Sequence, residues 1–317
     1  MEQAVTQHRK FRVLSLDGGG AKGVYTLGVL REVEAITGGP LSNQFDLVYG
    51  TSTGAIIAAL LALGYSVEDV RKHYVTLIPT VMKHRTRAAR TAALEQCVRD
   101  ILKETRFEDM KTDVGIVVTN YETEKPMIFK SLVRQAHGRK STFQPGFGVT
   151  VAEAILASAA AYPFFEQRTV MTCNQGHPEV VDGGYVANNP TLFAIADAVN
   201  AFNIPHGDVK VLSIGVGEYN EPKRSIFHRY LFSRPIVRLA IKILGANTNT
   251  IETLRMILFK DIACVRVNDA FPDQQYATDL LESDPQKLLK LHTLGRESFA
   301  KKEKEFREIF GWPDVQR

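Results

Sequence analysis

Apolar residues alternate and then pair in Phe11-Arg12-Val13-Leu14-Ser15-Leu16, which predicts a first strand ending at Asp17 and a run of glycines. Val24, Leu27, Leu30 and Val33 recur at helical spacing, predicting a helix from Val24 to Ile36 that Gly38-Gly39-Pro40 stops. A second strand, Phe45 to Tyr49, runs into Gly50-Thr51-Ser52-Thr53-Gly54, and Ala55 to Leu63 continues as a helix hydrophobic all round, hence buried on every side. Val114 to Thr119 and Met127 to Lys130 read as further strands. Thr150-Val151-Ala152-Glu153 has the form of a capping box opening an Ala-rich helix that Pro163 ends. Val180-Val181 enters Asp182-Gly183-Gly184, Asn189-Pro190 starts a helix through Val199, and Lys210 to Val216 is a late buried strand. Strands alternating with helices predict an α/β domain with a parallel or mostly parallel sheet covered on both faces. No linker divides the chain, so residues 1–317 read as one domain.

Three loops follow predicted strand ends, where open α/β sheets carry their sites. Asp17-Gly18-Gly19-Gly20-Ala21-Lys22-Gly23 contains the spacing Gly18-x-Gly20-x-x-Gly23 of a dinucleotide fingerprint. The acidic residue that should end the second strand is missing, because Asp46 opens that strand and Tyr49-Gly50 ends it. What remains is a row of backbone N–H groups at a helix start, able to cradle a phosphate or a developing oxyanion. Gly50-Thr51-Ser52-Thr53-Gly54, between a strand and an apolar helix, has the form of a nucleophile elbow presenting Ser52. Asp182 is followed by two glycines that leave its carboxylate accessible, so it can serve as the base for Ser52 in a two-residue dyad. The histidines offer less: His228 and His292 sit in no recognisable catalytic loop, and His177 precedes a strand.

Composition narrows the class. With 44% hydrophobic and 23% charged residues, the chain is neither disordered nor fibrous. The longest apolar run, Gly54 to Gly64, falls well short of the ~20 residues that span a bilayer. A net charge of +4 implies no nucleic-acid polymer as partner. Cys97, Cys173 and Cys264 are scattered, which fits no disulfide framework or metal cluster and points to a reducing compartment. The polar start from Met1 to Phe11 lacks the apolar core of a signal peptide, so the expected location is cytoplasmic.

Taken together, the three loops resemble the signature blocks of the patatin-like phospholipases. Ala157-Ser158-Ala159-Ala160-Ala161-Tyr162-Pro163-Phe164-Phe165 is similar to that family's segment before the catalytic aspartate. The likeness covers residues 12–217 and leaves 218–317 as a helical, variable extension. The resemblance implies a three-layer α/β/α patatin-like fold with a mostly parallel central sheet and a nucleophile elbow. It also implies a serine acyl hydrolase acting on membrane glycerophospholipids without cofactor or metal. Carried over by motif, Ser52 is the nucleophile, Asp182 the base, and the N–H groups of Gly18, Gly19 and Gly20 the oxyanion hole. Lys22 stands where many members carry arginine, which matters little when the backbone binds the anion. The alternative is a nucleotide- or phosphate-binding α/β module that uses the glycine loop and hydrolyses nothing.

Charge patterning raises a question of partners. No acid lies between Asp69 and Glu95, a stretch with Arg71, Lys72, Lys83, Arg85, Arg87 and Arg90. None lies between Glu221 and Glu252, where Lys223, Arg224, Arg229, Arg234, Arg238 and Lys242 interleave with apolar residues. An anionic bilayer touched peripherally at the inner membrane face, an anionic effector, or a merely solvated surface all fit such stretches. The compact lone-domain form resembles the bacterial patatin-like phospholipases that cyclic nucleotides activate in antiviral defence. That likeness suggests a cyclic-nucleotide activator whose binding residues are unassigned, and it leaves a homo-oligomer open.

Overall fold

The computed structural model describes residues 10–137, 143–174, 176–222 and 235–313. Its strands are β1 (Phe11–Leu16), β2 (Leu47–Thr51), β3 (Asp113–Asn120), β4 (Lys125–Lys130), β5 (Arg168–Thr169), β6 (Glu179–Asp182), β7 (Val209–Ile214), β8 (Glu218–Tyr219), β9 (Ala263–Val267) and β10 (Ala270–Phe271). The helices are α1 (Gly23–Thr37), α2 (Thr53–Ala62), α3 (Val67–Met82), α4 (Arg87–Leu102), α5 (Val151–Ser158), α6 (Gly184–Ala187), α7 (Thr191–Ala196), α8 (Pro235–Leu258), α9 (Pro285–Ala300) and α10 (Glu303–Phe310). An eight-stranded sheet runs in the order β5-β6-β3-β2-β1-β7-β9, with β4 also on β3, while β8 and β10 pair apart from it.

The strands β3, β2, β1, β7 and β9 are parallel, as expected for strands buried on both faces. Val48 and Leu14 face one core with α1 to α5 and α9, while Leu47, Tyr49 and Val13 face a second core with α7 and Ile251 of α8. These are the three layers of the expected fold. α1 and α9 cross closely because Gly28 lies against the His292 carbonyl and Gly295 against that of Tyr25. The residues beyond 217 are built into this body, since β9 extends the sheet beside β7 and α9 covers α1.

Two elements differ instructively from the sequence pattern. β2 begins at Leu47 rather than Phe45, because Phe45 turns into the core and meets the ring of Phe310 edge-on at 6.0 Å. The Ala-rich helix opens with the expected capping box, Thr150 N–H to Glu153 Oε2 at 3.0 Å and Glu153 N–H to Thr150 Oγ at 3.2 Å. It stops at Ser158, ahead of Pro163. The carbonyls of Ser158 and Ala160 there accept from the N–H groups of Gly183 and Asp182, at 3.3 and 3.1 Å. The chain thus leaves the helix to bind the loop that carries the aspartate.

Candidate active site

Sheet register brings the serine and the aspartate together. One edge of β3 pairs with antiparallel β4 from Gly115 to Asn120. The other edge pairs first with parallel β2, Thr51 opposite Val117, and then with antiparallel β6, Asp182 opposite Val118. Two strands running in opposite directions therefore meet end to end along one neighbour. Each delivers its last residue to the same point: Ser52 follows Thr51, and Asp182 closes β6. Because β6 enters from the carboxyl edge and pairs over only three residues of β3, Asp182 remains at the edge where parallel strands place their sites.

Ser52 sits at φ 54° and ψ −119°, a conformation unfavourable for a residue with a side chain. The turn holds because its neighbours leave it no room: a Cβ on Gly54 would lie 2.3 Å from the Leu16 carbonyl oxygen, so strand and helix touch through the glycine. The Ser52 N–H donates to Ser158 Oγ at 2.9 Å, and that hydroxyl donates to the Val117 carbonyl at 2.6 Å. Ser158, a member of the Ala-rich segment, thereby fixes the elbow to β3. Gly183 is required for a similar reason, its absent Cβ falling 2.1 Å from the Val117 oxygen.

Asp182 is 3% exposed. Its Oδ1 accepts the Gly184 N–H at 2.7 Å, and its Oδ2 has no hydrogen-bond partner among the described residues. Burial raises the carboxyl pKa to about 6, while the neighbouring Ser52 hydroxyl and the Gly184 N–H hold the rise back. The hydroxyl acts on the carboxyl without a closed hydrogen bond, a common arrangement before substrate tightens such a pair.

The glycine loop lies across from this pair, with Gly18 packed against Ser52: its added Cβ would stand 3.2 Å from Ser52 Cβ. The three glycines are not equivalent. The Gly18 N–H is committed to the Asn188 carbonyl at 2.9 Å, whereas Gly19 and Gly20 donate to no backbone carbonyl among the loop contacts of the described residues. Below the loop, Asp17 is buried and clamped by both nitrogens of the Arg266 guanidinium, at 2.9 and 2.5 Å. Burial raises the Asp17 pKa, and Arg266 opposes the shift. On the near side, the Tyr74 hydroxyl donates to the Gly20 carbonyl at 2.6 Å. Asn188 ties the loop to α8 through its Nδ2, which reaches the Gly18 carbonyl at 3.3 Å and Thr248 Oγ at 2.8 Å. None of Arg266, Tyr74 or Thr248 stands in a recognisable motif, and only contact across the fold identifies them.

All five expected residues, Ser52, Asp182, Gly18, Gly19 and Gly20, line one cavity of about 480 Å³. One wall is apolar, with Ile56, Leu77, Ile78, Val81, Phe164 and Phe165. Lys22 also lines it, its ammonium pKa lowered by burial and supported by Asp279, Glu218 and Asp17. No histidine lines the cavity among the described residues. His292 is buried elsewhere on α9, its pKa pushed down to about 4 by burial and by Arg71, Arg31 and Arg296. His177 is exposed, and His228 lies outside the described residues. Among the described residues no cluster suited to a metal ion occurs, and no helix is long and apolar enough to cross a membrane.

The basic stretches divide. In the first, Arg71 and Lys72 pair with Glu68 and Asp69 at 2.7 and 3.1 Å, and buried Arg90 donates to the His84 carbonyl at 2.9 Å. In the second, Lys223, Arg224, Arg229 and Arg234 lie outside the described residues, while Lys242 lines the cavity.

Comparison with known proteins agrees with this geometry. A family model described as patatin-like phospholipase matches residues 14–195. A cUMP-AMP-activated phospholipase of Escherichia coli is 52% identical over 298 residues, 94% of this chain and 93% of the relative. A cGAMP-activated phospholipase of Vibrio cholerae serotype O1 is 32% identical over 64% of this chain, which spans 63% of that relative's length. Among solved structures, VipD from Legionella pneumophila shares the fold at 13% identity and a TM-score of 0.53, covering 94% of this chain and 67% of VipD. The match to the family's defining region, and to a relative over nearly the whole length, establishes that this chain belongs to the patatin-like phospholipase family.

Proposed function

We infer that the protein hydrolyses fatty-acyl esters of membrane glycerophospholipids with Ser52 and Asp182 alone, under the control of a cyclic nucleotide. The observation that carries the dyad is the abutment of β2 and β6, which sets the Ser52 hydroxyl beside a buried carboxyl with a free oxygen. Ser52 Oγ attacks the ester carbonyl as Asp182 Oδ2 takes its proton, and the oxyanion receives the N–H groups of Gly19 and Gly20. Gly18, its own N–H engaged with Asn188, shapes the loop instead of donating. Asp182 then returns the proton to the departing lysophospholipid oxygen, and water takes the same path to release the fatty acid. A pKa of about 6 suits a carboxyl to both duties near neutral pH.

The activator rests on likeness to the relative described as cUMP-AMP-activated, which aligns over 94% of this chain. The deciding experiment measures fatty-acid release from mixed phospholipid vesicles with and without a panel of cyclic nucleotides, alongside fluorophosphonate labelling. Labelling that disappears in Ser52→Ala, with release that rises on addition of one cyclic nucleotide, is expected. A chain that binds nucleotide and labels nowhere would instead be a phosphate-binding module. Arg85→Glu and Arg229→Glu, one in each basic stretch, should raise the activator concentration required if those stretches hold the nucleotide.

A further inference from the structure

Six of the twelve large apolar side chains exposed among the described residues lie on α8: Leu239, Ile243, Leu254, Met256, Ile257 and Leu258, exposed by 40 to 64%. At 100° per residue, Leu239, Ile243, Leu254 and Ile257 fall within about 60° of one another, a stripe some 27 Å long on one side of the helix. The opposite side is spent inward. Leu244 packs against Gly184 beside the catalytic aspartate, Thr248 holds Asn188, and Ile251 is buried. Between the two sides, Lys242, Ala246 and Asn249 are exposed and also line the cavity, so the cavity opens along the flank of the helix that carries the stripe.

We propose that the outer stripe of α8 is the surface that seats this protein on a phospholipid bilayer, with the cavity mouth beside it. Exposed apolar side chains aligned on one side of a helix, here as the pairs Leu239/Ile243 and Leu254/Ile257 with exposed Thr250 between them, mark an interaction face, and an amphipathic helix binds a membrane by burying its apolar side at the level of the acyl chains. Charge selects the bilayer over a second copy of the chain. Residues 222–251 contain no acid, Lys242 and Lys260 are exposed, and the helix's one acid, Glu252, is held by Arg255 at 2.6 Å. Two such stripes facing each other would oppose like charges, whereas an anionic leaflet attracts them. A bilayer is the occupant because the phospholipase reading of the cavity requires substrate to arrive from one. Docking itself needs no turnover, so a failure to dock and a failure of the chemistry are separable.

The test is co-sedimentation of Ser52→Ala protein with vesicles of phosphatidylethanolamine and phosphatidylglycerol, with and without cUMP-AMP. Adding Ile243→Asp and Ile257→Asp should weaken partitioning about tenfold or more. In the active background the same pair should leave melting temperature, elution volume and hydrolysis of a soluble short-chain ester unchanged. Leu289→Asp, an equal change at an exposed leucine on α9, should bind like its parent. Ile257→Trp, which adds an interfacial aromatic, should tighten binding and serves if the double variant misfolds. Equal loss in Leu289→Asp, unchanged sedimentation of the double variant, no gain from Ile257→Trp, or absence of sedimentation by the parent under both conditions overturns the proposal. A shift of the double variant to a smaller assembly also overturns it, because a second copy then covers the stripe.

Discussion

Two buried aspartates on opposite faces of the sheet show how the same side chain serves structure or chemistry. Asp197, 1% exposed, is saturated: Tyr49 donates to Oδ2, Gln135 reaches Oδ2 at 3.0 Å, and Lys130 and His137 approach Oδ1 at 2.6 Å. Asp182, 3% exposed, has the Gly184 N–H on one oxygen and no closed partner on the other. A carboxylate with its charge matched and its lone pairs filled ties together the elements that donate to it, here β2, β4 and the 133–137 turn. One left short of partners in a dry site is poised to take a proton, at a cost to the fold. Incomplete satisfaction, rather than burial, marks the base.

The sharpest way to break the comparison is to make each aspartate neutral in turn. Asp182→Asn should lower phospholipid hydrolysis by about 10³-fold or more, and combining it with Ser52→Ala should do no further harm, because dyad members act as a unit. Its folded pKa of about 6 exceeds the unfolded value, so ionisation of Asp182 costs stability above pH 6 and the cost fades as pH falls toward 4. Denaturant melts at pH 8 should then find Asp182→Asn more stable than wild type, by something on the order of 2–3 kcal/mol, with the gain vanishing near pH 4. Gly19→Ala probes the opposite wall of the same site. Its Cβ would meet Val216 Cγ2 at 2.6 Å and push the loop off the oxyanion, and the loss of one donor costs about 10²–10³ in kcat. Asp197→Ala should behave inversely to Asp182→Asn. Leaving the Lys130 ammonium unpaired costs about 3–5 kcal/mol in a chemical melt, while the surviving folded protein labels at Ser52 at the normal rate. The smallest effect belongs to Tyr74→Phe. Losing the hydrogen bonds that the Tyr74 hydroxyl makes with the Gly20 carbonyl and with Thr53 Oγ should slow turnover about three- to tenfold, read in steady-state kinetics, with little change in KM.

What could be read from the sequence was whatever a local steric demand writes into neighbouring residues. The elbow is legible because Gly50 and Gly54 must let strand and helix meet around Ser52, and the Thr150–Glu153 cap is legible because both partners lie in one turn. The direction of β6 was not legible, since four residues of strand carry no mark of parallel or antiparallel pairing. Nor was the Asp17–Arg266 clamp, whose partners stand 249 residues apart and meet only once β9 joins the sheet. α4 is masked in the sequence because Arg90 takes an inward position of its buried row with Leu94, Val98 and Leu102, which breaks the apolar periodicity. The wall that α8 lends to the cavity was hidden for a different reason: a helix apolar on two sides gives no hint of which side is covered.

The claim that a carboxylate alone activates Ser52 is tested most directly by the rate of fluorophosphonate labelling as a function of pH, in wild type and Asp182→Asn. Labelling needs only the nucleophile, its base and the oxyanion donors, so membrane docking and product release do not enter. The wild-type rate should rise about tenfold between pH 5 and pH 8 with a midpoint near 6, set by ionisation of Asp182, and Asp182→Asn should be slow and flat across that range. Wild-type labelling rates in Asp182→Asn, still titrating near pH 6, would contradict the dyad and assign the base to a different group.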